Sequence, residues 1–176
     1  MAQSTSSISA QAAYQWGAAS LFAAAVIILL ALAFEHVGGY EPCPLCLQQR
    51  YAYYAGIPAL FISLILISLE QHRTATILFF LTAIGFLLNS GLGTYHAGVE
   101  WKFWEGPATC DTNVLKPLAP GGSGLLHDLS TKSFASCGDA TWRFLGLSFA
   151  GWNVLICIAL TIGCLKAAFA AGESRA

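Results

Sequence analysis

Charge is scarce in this chain of 176 residues: Asp, Glu, Lys and Arg make up 10% of it, and the formal net charge is -1. A soluble domain carries about 25% charged residues, so the composition excludes an ordinary solvated surface. The balance also leaves no basic face for nucleic acid or for an acidic substrate, and no nucleic acid partner is expected. Residues 1 to 34 contain no Asp, Glu, Lys, Arg or His, and Pro42 to Leu69 contain no Asp or Glu. No Gly-x-Gly-x-x-Gly run occurs, which removes the signature of a soluble dinucleotide cofactor. No basic segment precedes the first apolar run. That absence favours a retained span over a cleaved signal peptide, although Ala31-Leu32-Ala33 resembles a small-residue cleavage site. Neither internal repeats nor low-complexity segments stand out.

What is abundant is apolar surface, 56% of the residues. Four runs, about 16–34, 51–69, 77–95 and 144–165, are each long enough, at about 1.5 Å per residue, to cross a hydrocarbon layer of ~30 Å. They predict an all-α, four-helix transmembrane bundle forming a single integral membrane domain. Two cysteine-bearing loops, about 35–50 and 96–143, fall on one side, with both termini on the other. Glu70 to Arg73 makes a tight connection, so the second and third spans are antiparallel neighbours. Pro58 within the second run is a possible kink that packed neighbours can accommodate. Ser90, Gly91, Gly93 and Thr94 would let another helix approach the third span closely.

The long loop is rich in Gly and Pro around Pro117 to Gly122. Two of its parts, Trp101, Phe103 and Trp104, and Leu125, Leu126, Leu129 and Phe134, have the chemistry of interfacial anchors. The cysteine side carries Arg50, Lys102, Lys116, Lys132 and Arg143, and the other side Arg73, Lys166 and Arg175. Allowing for loop length, the densities nearly match and orientation does not follow from charge.

The cysteines are of two kinds. Cys157 and Cys164 lie inside the last apolar run, where cysteine behaves as a small hydrophobe. Cys43, Cys46, Cys110 and Cys137 lie in connecting segments. An even set there suggests two disulfides in an oxidising compartment, with three pairings open. If both form, the closeness of Cys43 and Cys46 favours joining these two and leaving Cys110 with Cys137.

Cys43-Pro44-Leu45-Cys46 is the stretch that carries chemistry. Pro44 suits the first position of a helix, which makes Cys43 its N-cap and puts Cys46 in the first turn. The positive end of the helix and nearby Arg50, which shares a face with Cys46, favour thiolate over thiol. A Cys-x-x-Cys pair at the mouth of a span suits thiol–disulfide exchange ending on an acceptor dissolved in the bilayer. A lipid quinone is the obvious candidate. Arg50 could stabilise negative charge on its ring oxygen, or could simply anchor the span at the interface. The competing reading is a zinc knuckle, with Cys110, Cys137, His96 or His127 completing four ligands.

Read in order, Glu35-His36-Val37, Glu41-Pro42-Cys43-Pro44-Leu45-Cys46, Arg50, Tyr95-His96, Ala108-Thr109-Cys110-Asp111 and Phe144-Leu145-Gly146-Leu147 after Cys137 call to mind one family. On these motifs the whole chain resembles the disulfide bond formation protein B (DsbB-type) family of bacterial inner membranes. The resemblance implies a thiol:quinone oxidoreductase whose active loops face the periplasm. Cys110 would be attacked by a DsbA-type thioredoxin-fold partner, and released Cys137 would attack Cys43. Cys46 would be the thiolate contacting ubiquinone or menaquinone, with Arg50 holding the quinone and His96 lining its site. Gln48-Gln49 depart from relatives that place an aromatic residue and Glu before the arginine, and Gly138-Asp139 follow Cys137 where some relatives place them before it. The rivals are a vitamin K epoxide reductase-like enzyme, whose loop cysteines precede the Cys-x-x-Cys, and a non-catalytic zinc-stabilised membrane scaffold.

Overall fold

The computed structural model describes residues 2–107, 110, 137–138 and 142–174, with side chains from residue 7 onward. Four helices dominate: α1 (Ala2–His36), α2 (Pro44–Ser68), α3 (His72–Glu100) and α4 (Phe149–Glu173). Just before α4, β1 (Arg143–Phe144) and β2 (Leu147–Ser148) pair antiparallel as a minimal hairpin, Phe144 opposite Leu147. All four helices are long and apolar enough to cross a membrane. The chain is therefore an all-α, four-helix integral membrane protein.

Local chemistry explains the helix starts. Cys43 is extended and caps α2, its sulfur accepting the Cys46 backbone N–H at 3.2 Å, with Pro44 as the first helical residue. Ser148 caps α4 in the same way, accepting from the Gly151 N–H at 3.2 Å. The α2–α3 turn is shorter than the charged cluster suggested. His72 and Arg73 already belong to α3, and Glu70 takes a left-handed φ of 58° to reverse the chain.

Residues 144–148 depart from the expectation of a fourth span beginning at Phe144. Leu145 and Gly146 both have positive φ, 52° and 83°, the backbone of a tight hairpin turn. Gly146 adopts it without steric cost, and the helix waits until Phe149.

Around the bundle α1 packs on α2, α2 on α3, α3 on α4, and α4 back on α1. The interior is small and tightly filled. Phe79, Phe86 and Leu60 are its largest enclosed side chains, and α4 lines it with Cys157, Cys164, Ala167 and Ala171. On α3, Gly93 and Ser90 face α4: a Cβ at Gly93 would meet Val154, and the Ser90 hydroxyl donates to the Val154 carbonyl at 3.5 Å. Gly91 faces open space and Thr94 donates to the Ser90 carbonyl of its own helix, so among the described residues it is Ser90 and Gly93 of that cluster that make the contact.

Phe22, Leu29, Phe61, Leu88 and Phe169 point outward from all four helices and are more than half exposed. Ser63, Thr82, Asn89 and Thr161 point inward. Apolar outside with polar groups inside suits a hydrocarbon solvent. Trp101, Phe103 and Trp104 are exposed beyond the end of α3, where interfacial aromatics belong. The Pro117 to Gly122 stretch, the apolar group from Leu125 to Phe134, Lys116, Lys132 and Arg175 lie outside the described residues.

The tightest helix approach yields a test. A Cβ at Gly163 would lie 2.4 Å from the Ser20 hydroxyl oxygen, so Gly163→Val must displace that side chain and crowd the contact of α1 with α4. It is expected to lower stability in detergent by about 1–3 kcal/mol, read as a fall in Tm. Gly91→Ala, in open space, should be neutral or mildly stabilising.

Candidate functional site

At the head of α2 the Cys43 sulfur is a junction. It lies 2.9 Å from the Cys46 sulfur, the two being free thiols in contact, and 3.5 Å from Nε2 of His96 on α3. On its other side Cys43 shares one buried cluster with Leu45, Val99, Cys110 and Cys137, and Cys110 and Cys137 are joined as a disulfide. Four cysteines thus meet at one place. Cys43 and Cys46 come from the head of α2, which begins at Pro44 inside the expected loop of about 35–50, and Cys110 and Cys137 from the segment after α3. Cys110 and Cys137, two of the four residues the zinc reading offered to complete its ligands, are bonded to each other. His127, Ala108, Thr109 and Asp111 lie outside the described residues.

The hydrogen bond from the Cys46 thiol outweighs burial and, with the His96 imidazole, holds the Cys43 thiol far below its ordinary value, at about 4. Sequence reasoning credited the helix terminus and a free arginine. The structure removes that free arginine: Arg50 forms an ion pair with Glu35 at the end of α1, both side chains partly buried. No acidic residue near Arg50 in sequence foreshadowed this pairing, because the partner comes from the preceding helix.

Behind His96 runs a chain of polar side chains that sequence reasoning missed. The Gln49 amide N–H donates to His96 Nδ1 at 2.9 Å, leaving the ring proton on Nε2, toward Cys43. Gln49 Oε1 accepts from Asn153 at 2.7 Å, and Asn153 Oδ1 accepts from the Tyr53 hydroxyl at 2.7 Å. That hydroxyl also lies 3.4 Å from the Cys157 sulfur, which receives an Asn89 N–H at 3.2 Å. Cys157 is therefore more than apolar filling, whereas Cys164 sits wholly enclosed in the core. One further residue went unnoticed: Glu100, one turn beyond His96, is buried with Oε1 3.8 Å from His96 Nε2. The available signal was spacing. Cys46, Gln49 and Tyr53 recur at helical intervals on one face of α2, as do His96 and Glu100 on α3 and Asn153 and Cys157 on α4. Polar residues repeated on one face of a span mark its functional side.

Cys43 and Cys46, with His96, Gln49, Asn153 and Tyr53 of this chain, border a cavity of about 370 Å³. Cys43, Cys46, Arg50, His96 and Glu100 gather on its wall with Gln49 and Asn153, while Ile27, Ile28, Leu30 and Ile156 make it largely apolar. An aromatic group closes one flank: the Phe149 ring lies 4.9 Å from Trp142 and 5.2 Å from Phe34. The structure thus brings Cys43, Cys46, Arg50 and His96 to one cavity and sets the Cys110–Cys137 disulfide behind Cys43. A flat, apolar ring bearing polar oxygens fits such a lining.

The model of the family described as disulfide bond formation protein DsbB matches residues 13–167. A disulfide bond formation protein B of Polaromonas is 30% identical over 152 residues, covering 81% of this chain and 84% of that one. Its counterpart in Xylella fastidiosa is 32% identical over 139 residues, 78% and 79% of the two chains. An uncharacterised protein of Rickettsia prowazekii is 29% identical over 138 residues, 77% of each. No solved structure matches the chain.

The lowered thiol makes a prediction about pH. Because the folded value lies near 4, the thiolate persists as pH falls, so alkylation of Cys43 in the reduced protein should stay level from about pH 8 to about pH 5 and drop only near 4. Replacing His96 by Ala should move that drop upward. A wild-type rate climbing about tenfold per pH unit up to about pH 8, as for an ordinary thiol, would contradict the geometry.

Proposed function

The chain belongs to the disulfide bond formation protein DsbB family and is a disulfide-forming membrane oxidoreductase; from that premise we propose that it reoxidises a DsbA-type dithiol partner and passes the electrons to a membrane quinone. The observation that carries this reading is the position of Cys43 and Cys46. They touch the Cys110–Cys137 cluster on one side and line an apolar cavity on the other.

The sequence of exchanges balances. A partner thiolate attacks the Cys110–Cys137 disulfide at Cys110. The resulting mixed disulfide is resolved by the second partner thiol, which leaves with an oxidised partner and a Cys110/Cys137 dithiol. Cys137 then attacks a Cys43–Cys46 disulfide at Cys43, and Cys110 closes on Cys137, releasing a Cys43/Cys46 dithiol. Two electrons and two protons remain to be discharged from that pair as its disulfide reforms. A bound ubiquinone or menaquinone would supply the sink for both.

Cys46, Arg50 and His96 would hold the ring at the polar wall of the cavity, with Ile27, Leu30 and Ile156 against its apolar parts. The His96 N–H stabilises sulfur as thiolate at Cys43. Glu35 fixes the Arg50 guanidinium and keeps it from drifting to the headgroups. Water exclusion by the aromatic flank strengthens each of these interactions. A bacterial inner membrane, with the cysteine loops in the periplasm, is the setting in which such a relay has both an oxidising side and a quinone pool.

The deciding experiment is anaerobic. Purified protein, reduced partner and a quinone analogue are mixed, and quinone absorbance is followed. One quinone should be consumed per partner dithiol oxidised. Arg50→Ala should raise the apparent KM for quinone about tenfold or more, with little effect on the KM for the partner. Dithiol oxidation with no loss of quinone absorbance would refute the acceptor, and an unchanged quinone KM would reduce Arg50 to an anchor.

A further inference from the structure

Cys43 Sγ, Cys46 Sγ and a ring nitrogen of His96 all lie within 4.8 Å of one another. The His96 atom facing the sulfurs is Nε2, since Nδ1 is taken by Gln49. Gln49 holds the ring in that orientation; a metal on Nε2 needs the ring proton on Nδ1 instead, where turning the Gln49 amide end for end lets its Oε1 accept that proton. In a tetrahedral zinc site with Zn–S bonds of ~2.3 Å the ligand atoms stand about 3.8 Å apart. The sulfurs, now 2.9 Å apart, reach that by small side-chain rotations.

Two further observations favour a cation here. Glu100 is buried beside the set, 3.8 Å from His96 Nε2, and its Oε2 has no hydrogen-bond partner among the described residues. Arg50, the positive charge that would repel a metal, is engaged by Glu35.

We propose that the dithiol state of this site binds a borderline-soft divalent cation of the zinc class through Cys43, Cys46 and His96, leaving the fourth position to water. No electrons move in this step: the metal–sulfur bonds replace any remaining thiol protons, which are released to solvent, and the metal–nitrogen bond uses the lone pair that Nε2 gains as the ring proton passes to Nδ1. Closing the Cys43–Cys46 disulfide removes two of three ligands, so cation binding and oxidation exclude each other. By linkage the cation stabilises the reduced form and opposes its reoxidation. The site is therefore a redox-gated metal trap, distinct from a zinc scaffold, which would keep its ion in both states. It requires only that the pair be reduced, and is independent of which acceptor reoxidises it.

Cobalt(II) titration of the full chain tests this anaerobically, in a Cys157→Ala, Cys164→Ala background that silences the other free thiols. The reduced protein should develop a sulfur-to-cobalt charge-transfer band saturating at one equivalent and bleached by added zinc. The same protein with the Cys43–Cys46 disulfide formed should show none. His96→Ala should weaken binding at least about tenfold. An absent band in the reduced protein, an equal band in the oxidised one, or a band that survives Cys43→Ser would each overturn the proposal. The comparison between redox states needs no substitution in the site itself.

Discussion

The contact on which the structure depends is that of the Cys43 sulfur with its neighbours. One atom caps α2, meets the Cys46 sulfur, approaches the His96 ring and packs against the Cys110–Cys137 disulfide. Each contact constrains the others. A sulfur that accepts a backbone N–H at a helix terminus is held rigidly, and a rigid sulfur can be given a hydrogen-bond donor that keeps it ionised despite burial. Without that stabilisation, burial would drive the thiol to stay protonated and unreactive. The site thus spends its few polar groups where desolvation is worst.

The rest of the bundle supports that atom through an interior polar chain. Tyr53, Asn153, Gln49 and His96 donate in sequence, linking α2, α4 and α3 across the bundle. In a low-dielectric interior a fully paired chain of this kind is rigid, and a broken one is costly. The same logic applies to Arg50 and Glu35, whose pairing ties α1 to α2 at the cavity. Removing one partner would leave a partly buried, uncompensated charge. Packing stays close elsewhere because α4 offers Gly163, Ala167 and Ala171 to its neighbours.

Much of this was legible in sequence where the cause is local. Four long apolar runs produce four helices, since lipid leaves the backbone no other way to satisfy itself. Pro44 after Cys43 produces a helix with a cysteine cap. The family motifs pointed to the four cysteines, Arg50 and His96. What sequence reasoning missed depends on partners distant along the chain. Glu35 reaches Arg50 from another helix, and neither residue carries a mark of the other. Gln49 looked like a departure from relatives, yet it orients His96. Asn153 and Glu100 drew no reading in sequence, because their partners come from other helices or act only once the bundle has closed. Phe144 to Ser148 read as the start of a span because its residues are mostly apolar. The turn at Leu145 and Gly146 overrides that pattern, and only the backbone angles reveal it.

The central claim is that the two cysteine pairs form one connected relay through Cys43. It is tested most directly by removing the outer members of each pair. In a Cys46→Ser, Cys110→Ser double variant under mild oxidation, mass spectrometry of peptides should find Cys43 joined to Cys137 within the same chain, since both sit in one buried cluster. Two free thiols that refuse to join, or pairing only between separate molecules, would contradict the account.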